Sequence, residues 1–370
     1  MTLMYTIAAE AQNAKPEPQH LKPRPPDHNR MTHTHAGHDS VMPACPGNDS
    51  VMHAQAGIRR NRLTAPRPRP RIRLSRVVFR GCLMPSHYLA QVEIDGLEII
   101  GYSVAGEETV VAMPQLDVCF DIGKAPDQII AVNHVLLTHG HMDHAAGLAY
   151  YLSHRNFCGM APGVVLAPKN LLGPIRDILQ AWGRLDGNSI PAKLVGVEPG
   201  DEYAVKPNLF ARAFPTKHSR GSVGFTLIER RKKLKDQYHG LTGPQIVELK
   251  KQGVEIDYRL DIPLVTYLGD TQYVDFSQLD YIRTSRILIA ECTFYEDDHA
   301  GRAEAGRHMH INEFVRLIES LDNEHIVVTH TTARTPMSEV RKVLKNDLPK
   351  DKYDRMILLM DQRRGRRHTA

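Results

Sequence analysis

The sequence predicts an α/β fold in which two β-sheets pack face to face with helices on the outer surfaces. Three observations lead there. Short apolar strands first follow one another directly, as in a meander. Strand–helix alternation then takes over and returns near the C-terminus. Finally, each apolar strand of the later half stops at a histidine or aspartate, as expected where loops at strand ends carry a site.

Composition limits the alternatives. The 370 residues, 42% of them hydrophobic, suffice for one large domain or two small ones. No apolar run approaches the roughly 20 residues of a membrane-spanning helix, so no membrane partner is expected. Cys45, Cys82, Cys119, Cys158 and Cys292 are odd in number, widely spaced and form no C-x-x-C pair. A reducing compartment is therefore expected, the cytoplasm or, in a eukaryote, the nucleus. Residues 1–76 hold 12 Lys and Arg against 5 Asp and Glu, a net of +7, so with +5 overall the remainder carries −2. Only local basic clusters can then support a polyanionic partner.

Residues 1–72 read as a disordered leader rich in Pro, His and Arg, with a polyproline-like stretch at 65–70. The folded part is expected at 73–362 and a basic tail at 363–370. Strands are predicted at 77–79, 88–94 and 97–102, with Asp95-Gly96 as a hairpin turn. Further strands are expected at 109–113, 116–121 and 131–138. A helix over 145–152 and a strand at 164–167 follow. The helix at 171–182 places Leu171, Leu172, Ile175, Ile178 and Leu179 on one face. Strands at 194–197, 209–213 and 223–229 precede a helix at 245–251 that ends at Gly253. The chain closes with strands at 264–268, 287–291, 325–329 and 355–360, and helices at 313–321 and 339–344. No internal repeat is visible in the sequence.

The densest chemistry lies in Thr138-His139-Gly140-His141-Met142-Asp143-His144, directly after the apolar run Val135-Leu136-Leu137. Residues two apart in extended chain share a face, so His139 and His141 can point one way while Asp143 and His144 aim at a second point nearby. Imidazole and carboxylate suit zinc, manganese or iron. His218, Asp270 and His330 each follow a later strand, which makes seven candidate ligands, the number two metals need when they share one carboxylate. Gly269 is expected to let the backbone approach the metals. Another cluster, Arg230-Arg231-Lys232-Lys233-Leu234-Lys235, puts five positive charges in six residues.

The H-x-H-x-D-H loop followed by isolated His, Asp and His at strand ends resembles the metallo-β-lactamase superfamily, and within it the tRNA 3′-processing endonucleases (ribonuclease Z, tRNase Z) of the short plant type. The likeness runs from about Gly101 to His330 and includes Gly269-Asp270-Thr271, Glu291-Cys292-Thr293-Phe294, His308-Met309-His310-Ile311 and Thr329-His330. The resemblance implies an αβ/βα four-layer sandwich and a dinuclear zinc site, with manganese or iron as alternatives. By it, His139, His141 and His218 hold one ion, Asp143, His144 and His330 the other, and Asp270 bridges. His310 matches the family's catalytic histidine, with His308 as its rival, and Asp143 and Glu291 match acidic residues of the catalytic centre. The implied reaction is phosphodiester hydrolysis of precursor tRNA that leaves 5′-phosphomonoesters, in a homodimer. A connecting arm at about 230–262 would offer Arg230, Arg231, Lys232, Lys233 and Lys235 to RNA phosphates. Two rivals stand beside this: a superfamily hydrolase of a small phosphodiester or thioester, and a non-catalytic zinc-stabilised scaffold. The sequence departs from the family pattern at Ala290, Cys292, Ile311-Asn312, Thr332 and Thr335.

Overall fold

The computed structural model describes residues 88–362; the leader at 1–72, the strand expected at 77–79 and the tail at 363–370 lie outside them. The Asp95-Gly96 turn has φ of 50° and 77°, the left-handed pair that a two-residue hairpin requires. It joins β1 (Ala90–Ile94) to β2 (Leu97–Val104), and β3 (Glu108–Met113) and β4 (Val118–Phe120) extend the antiparallel meander. Three parallel strands follow: β5 (His134–Leu136), β6 (Val164–Pro168) and β7 (Lys193–Val197). Helices α1 (Met142–Ala145), α2 (Leu148–Phe157) and α3 (Leu172–Asp186) lie on the connections between them.

A second sheet repeats the plan. Strands β8 (Glu202–Lys206), β9 (Leu209–Pro215), β10 (Val223–Leu234) and β11 (Asp257–Tyr267) pair antiparallel, with α4 (Gly243–Lys251) between the last two. Strands β12 (Ile287–Glu291), β13 (His325–Thr329) and β14 (Met356–Leu358) add on in parallel. Their connections carry α5 (Asp280–Arg283), α6 (Ala300–Gly306), α7 (Ile311–Glu319), α8 (Met337–Asp347) and α9 (Lys350–Tyr353). The sequence shows no repeat, yet both seven-stranded sheets run as four antiparallel strands followed by three parallel ones. Topology is set by hydrophobic pattern and turn chemistry, which two unrelated stretches can share.

Period-2 alternation divides the apolar residues among three layers of core. Val111, Phe120, Leu136 and Leu166 meet Leu227, Tyr267, Ile289 and Val327 between the sheets, and the Phe120 and Tyr267 rings stack at 4.8 Å. Val110, Cys119 and Val135 face the other way, onto Leu148, Leu152, Ile175 and Leu179. On the opposite flank Leu288 and Val328 pack with Phe314, Leu317 and Val340. The result is a four-layer αβ/βα sandwich.

Several boundaries differ from the sequence reading. The helix expected at 145–152 is two helices that break at Gly147, where a Cβ would stand 2.4 Å from the Ala125 backbone nitrogen. Ile178 was expected on the buried face of α3, but it is 54% exposed, while Ile175 and Leu179 are buried. Strand β8 is not among the predicted strands, because only Tyr203 and Val205 mark its inner face in so short a segment. Strand β10 continues five residues beyond its expected end and carries the basic cluster with it. Cys119, Cys158 and Cys292 are unpaired, and no described helix is long and apolar enough to cross a membrane.

Candidate metal centre

The site sits where both sheets present strand ends. After β5 the chain turns through His139–His141 into α1, which carries Asp143 and His144. His218 follows β9, Asp270 follows β11 and His330 follows β13. Gly269 has φ of +63°, and a Cβ there would meet the Thr138 side chain at 2.8–3.0 Å. Close packing on Thr138 and a left-handed backbone, both of which favour glycine, thus hold Asp270 in place.

All seven expected donors come together. Asp270 Oδ2 is the hub, 3.2 Å from His144 Nε2, 3.3 Å from His330 Nε2, and 3.8 Å from the Nε2 atoms of His139 and His218. Asp143 Oδ2 lies 3.7 Å from His144 Nε2 and 3.6 Å from His330 Nε2. His141 Nδ1 lies 3.0 Å from His218 Nε2. Among the groupings of candidate ligand atoms are His139–His141–His218 and Asp143–His144–His330, with Asp270 grouped with His139 and His144.

Four of the histidines are fixed through Nδ1, which turns Nε2 inward. His144 Nδ1 lies 2.8 Å from Asp121 Oδ2, His139 Nδ1 2.9 Å from Thr138 Oγ1, His218 Nδ1 3.0 Å from the Arg307 carbonyl and His330 Nδ1 3.0 Å from Thr293 Oγ1. Asp121 is fully buried and also accepts from the Thr138 amide and hydroxyl and from the Tyr267 hydroxyl. His330 has φ of +57°, unusual for a side chain larger than glycine, and its amide donates to Ser103 Oγ at 2.9 Å. Sequence reasoning missed Asp121, Arg307, Thr293 and Ser103. Asp121 carried a signal, being an acid at a strand end like Asp270, and Thr293 stands in one of the strings that carry the family likeness.

The electrostatics follow from burial. Desolvation holds His139 well below its usual pKa, reinforced by the neighbouring His144. Burial also opposes charge on His144, but Asp270 and Asp121 outweigh it and raise that imidazole. Burial likewise disfavours ionised Asp270, yet His144 and His330 keep the carboxyl well below the usual range. The Nε2 atoms of His139, His144 and His330 are buried without a hydrogen-bond partner. Such inward-facing lone pairs are costly unless something accepts them. A divalent metal does so, and the N and O donor set fits one.

The histidine expected beside the metals is not the one found there. His310 caps the start of α7: its Nε2 lies 3.0 Å from the Glu296 carbonyl and its Nδ1 accepts from the Asn312 amide at 3.4 Å. Helix α7 begins at Ile311, two residues before its expected start, and that shift takes His310 for capping. His308 faces the donors instead, with Nδ1 3.8 Å from Asp270 Oδ2 and its ring stacked 5.0 Å from that of His330. Glu291, buried behind it, lies 3.2 Å from His308 Nδ1 and accepts from the Thr271 and Met309 amides and the Thr293 hydroxyl. Burial lowers the His308 pKa, but Glu291 and then Asp270 more than reverse this and raise it to about 9. The donors open into a 460 Å³ cavity also lined by Gly106, Thr293, Phe294, Thr332 and Arg334.

The basic cluster lies elsewhere. From Val223, whose amide donates to the Thr138 carbonyl, it is nine residues along β10 to Lys232, about 30 Å of strand. Arg230 pairs with Glu202 and Asp261 and lies over the Phe210 ring, Arg231 pairs with Glu229, and Lys235 with Glu255. Among the described residues Lys232 and Lys233 have no ion-pair partner.

A β-lactamase superfamily domain model matches residues 118–331, more than half of the chain. A tRNase Z of Arabidopsis thaliana is 32% identical over 253 residues, covering 67% of this chain and 90% of the relative. A chloroplastic tRNase Z of the same plant is 30% identical over 257 residues, 68% of this chain and 72% of the relative. A nuclear ribonuclease Z of Triticum aestivum is 34% identical over 166 residues, 45% of this chain and 94% of the relative. Strand-end donors, sandwich and relatives agree: the chain belongs to the tRNase Z family of the β-lactamase superfamily.

Proposed function

We propose that the chain is a metal-dependent endoribonuclease that processes the 3′ end of precursor tRNA. The observation that carries this is the convergence of seven donors, three with orphaned buried Nε2 atoms, in a chain whose relatives are named tRNase Z. His139, His141 and His218 would hold one zinc ion and Asp143, His144 and His330 a second, with Asp270 serving both. Bound there, the ions would supply Lewis acidity toward the attacking water and the charge of the phosphate. The chain's own residues do the rest. His308 is poised to give a proton to the leaving 3′ oxygen, and Glu291 orients it and favours its charged form. The Gly106 amide, which donates to Asp143 Oδ2 at 3.0 Å, fixes that carboxylate in the cavity.

The test is a cleavage assay that compares precursor tRNA with bis-p-nitrophenyl phosphate and cyclic AMP. Efficient cutting of the precursor at its 3′ side is expected; turnover of cyclic AMP with intact precursor would favour the small-substrate reading. One observation speaks for that rival, namely that Arg230, Arg231 and Lys235 are neutralised within the arm. RNA contact then falls to Lys232 and Lys233. Changing both to Gln should reduce the salt dependence of RNA binding by about 0.9 per lost phosphate contact and leave small-diester turnover unaltered.

The partner is a second copy of the chain. Helices α2 and α3 expose Tyr150, Trp182 and Leu185 around a cleft of 360 Å³, an apolar face of the kind that pairs with itself in two-fold dimers. Leu185→Glu should halve the mass seen by sedimentation while circular dichroism is unchanged. A monomeric parent protein would rule the dimer out. Unpaired cysteines and the relative named as nuclear support a reducing compartment, cytoplasm or nucleus.

A further inference from the structure

A second cavity, of 330 Å³, adjoins the one that the metal donors face and shares Thr332 and Ala333 with it. The hairpin of β2 and β3 forms one side, with Tyr102 and Glu107, and the segment after β13 forms the other, with Thr335 and Met337. Two backbone contacts hold these walls in register with the donors. The Gly106 amide donates to Asp143 Oδ2, and the Ala105 amide donates to the carbonyl of Thr331, the residue after His330. A pocket fixed so tightly to Asp143 and His330 is placed to hold whatever is covalently attached to the reacting group.

Its chemistry is specific. Pro336, Met337 and Met360 offer apolar, polarisable surface, and Tyr102 adds a ring. The acceptor is Glu107, whose Oε2 accepts a hydrogen bond from the Tyr102 hydroxyl at 2.7 Å. A carboxylate has about four lone-pair sites, so it has capacity for a further donor. The Thr335 hydroxyl is already committed to the Glu296 carboxylate. Flat apolar walls with one carboxylate suit an aromatic heterocycle that carries an amino group.

We propose that this cavity is a nucleobase subsite, which takes the base next to the scissile phosphodiester and prefers guanine, whose adjacent N1–H and exocyclic amino group can both donate to the Glu107 carboxylate, whereas adenine, cytosine and uracil each offer one donor nitrogen on that edge. The inference rests on the endoribonuclease reading. A phosphodiester that reaches Asp143 and His330 carries its neighbouring base within one nucleoside, and the Thr332–Ala333 wall divides the two cavities.

The experiment uses precursor tRNAs with each of the four bases, or an abasic residue, at each position flanking the cut. They are cleaved by the full chain, by Glu107→Gln and by the cavity-filling Met337→Trp. At one of the two positions the parent enzyme should process the other three bases, and the abasic residue, roughly 10-fold more slowly in kcat/KM than guanosine. Glu107→Gln should bring guanosine level with the other bases, and Met337→Trp, which fills the cavity, should level all bases with the abasic residue. Methyl p-nitrophenyl phosphate, which has no base, should be turned over unchanged by both. Equal cleavage of all five substrates at both positions by the parent enzyme would overturn the subsite alone. So would variants that slow every substrate equally, the small diester included. Turnover of the small diester with no precursor cut at all would overturn the endoribonuclease reading and the subsite with it.

Discussion

Asp270→Ala should empty both halves of the metal centre at once. One oxygen of Asp270 lies within 3.8 Å of Nε2 on His139, His144, His218 and His330, and so reaches both groups of donors. His141→Ala, which touches one group only, should lose a single ion. Elemental analysis of the two variants against the parent protein reads this directly as two, one and zero ions per chain. Hydrolysis by Asp270→Ala should fall by more than about 100-fold, the upper range seen when mere outer partners of metal ligands are removed. An Asp270→Ala protein that kept one tightly bound ion would show that the carboxylate serves a single metal.

The second large effect separates two histidines that stand two residues apart. His308→Ala should slow RNA cleavage by roughly 10²–10⁴-fold, the range for a general acid, and should slow a p-nitrophenyl ester less, because that leaving group needs no proton. His310→Ala should cost about 0.5–2 kcal/mol of stability through loss of its cap and leave the rate per folded molecule near that of the parent. Thermal melts and single-turnover cleavage distinguish the two. Glu291→Gln adds a pH test with a definite sign. The acid must be protonated to act, so the rate falls as pH rises through its pKa. Glu291 raises that pKa, so removing its charge should move the alkaline limb of the kcat profile to lower pH. An unmoved limb would mean that a group other than His308 sets it.

What could be read in advance was what local pattern encodes. The run from Thr138 to His144 announces a metal loop because four donors in six positions rarely occur otherwise, and His218, Asp270 and His330 stand out as polar residues that end apolar strands. The fold's two sheets were legible for the same reason, since strand alternation and an Asp-Gly turn are local signals. The choice between His308 and His310 was not local. It depends on where α7 starts and on a buried Glu291 that is 17 residues away from His308 along the chain. Asp121 fixes His144 from 23 residues upstream, and Ser103 holds the His330 backbone from 227 residues away. The basic cluster misled in the other direction. Its five charges are plain in sequence, but Arg230 is neutralised by Glu202 and Asp261 on other strands and Lys235 by Glu255 just before one; only Glu229, the partner of Arg231, lies beside the cluster on β10.

The two sheets of like topology divide the donors unevenly between them. The first contributes His139, His141, Asp143 and His144, the second His218, Asp270 and His330, and the join between the halves is the connection from β7 to β8. Neither trio of donors is complete within one half, since His218 and His330 each come from across the seam. Ions bound there would cross-link two halves that the apolar core between the sheets already holds together, so metal binding should raise the thermal stability of the whole domain rather than decide whether the halves meet.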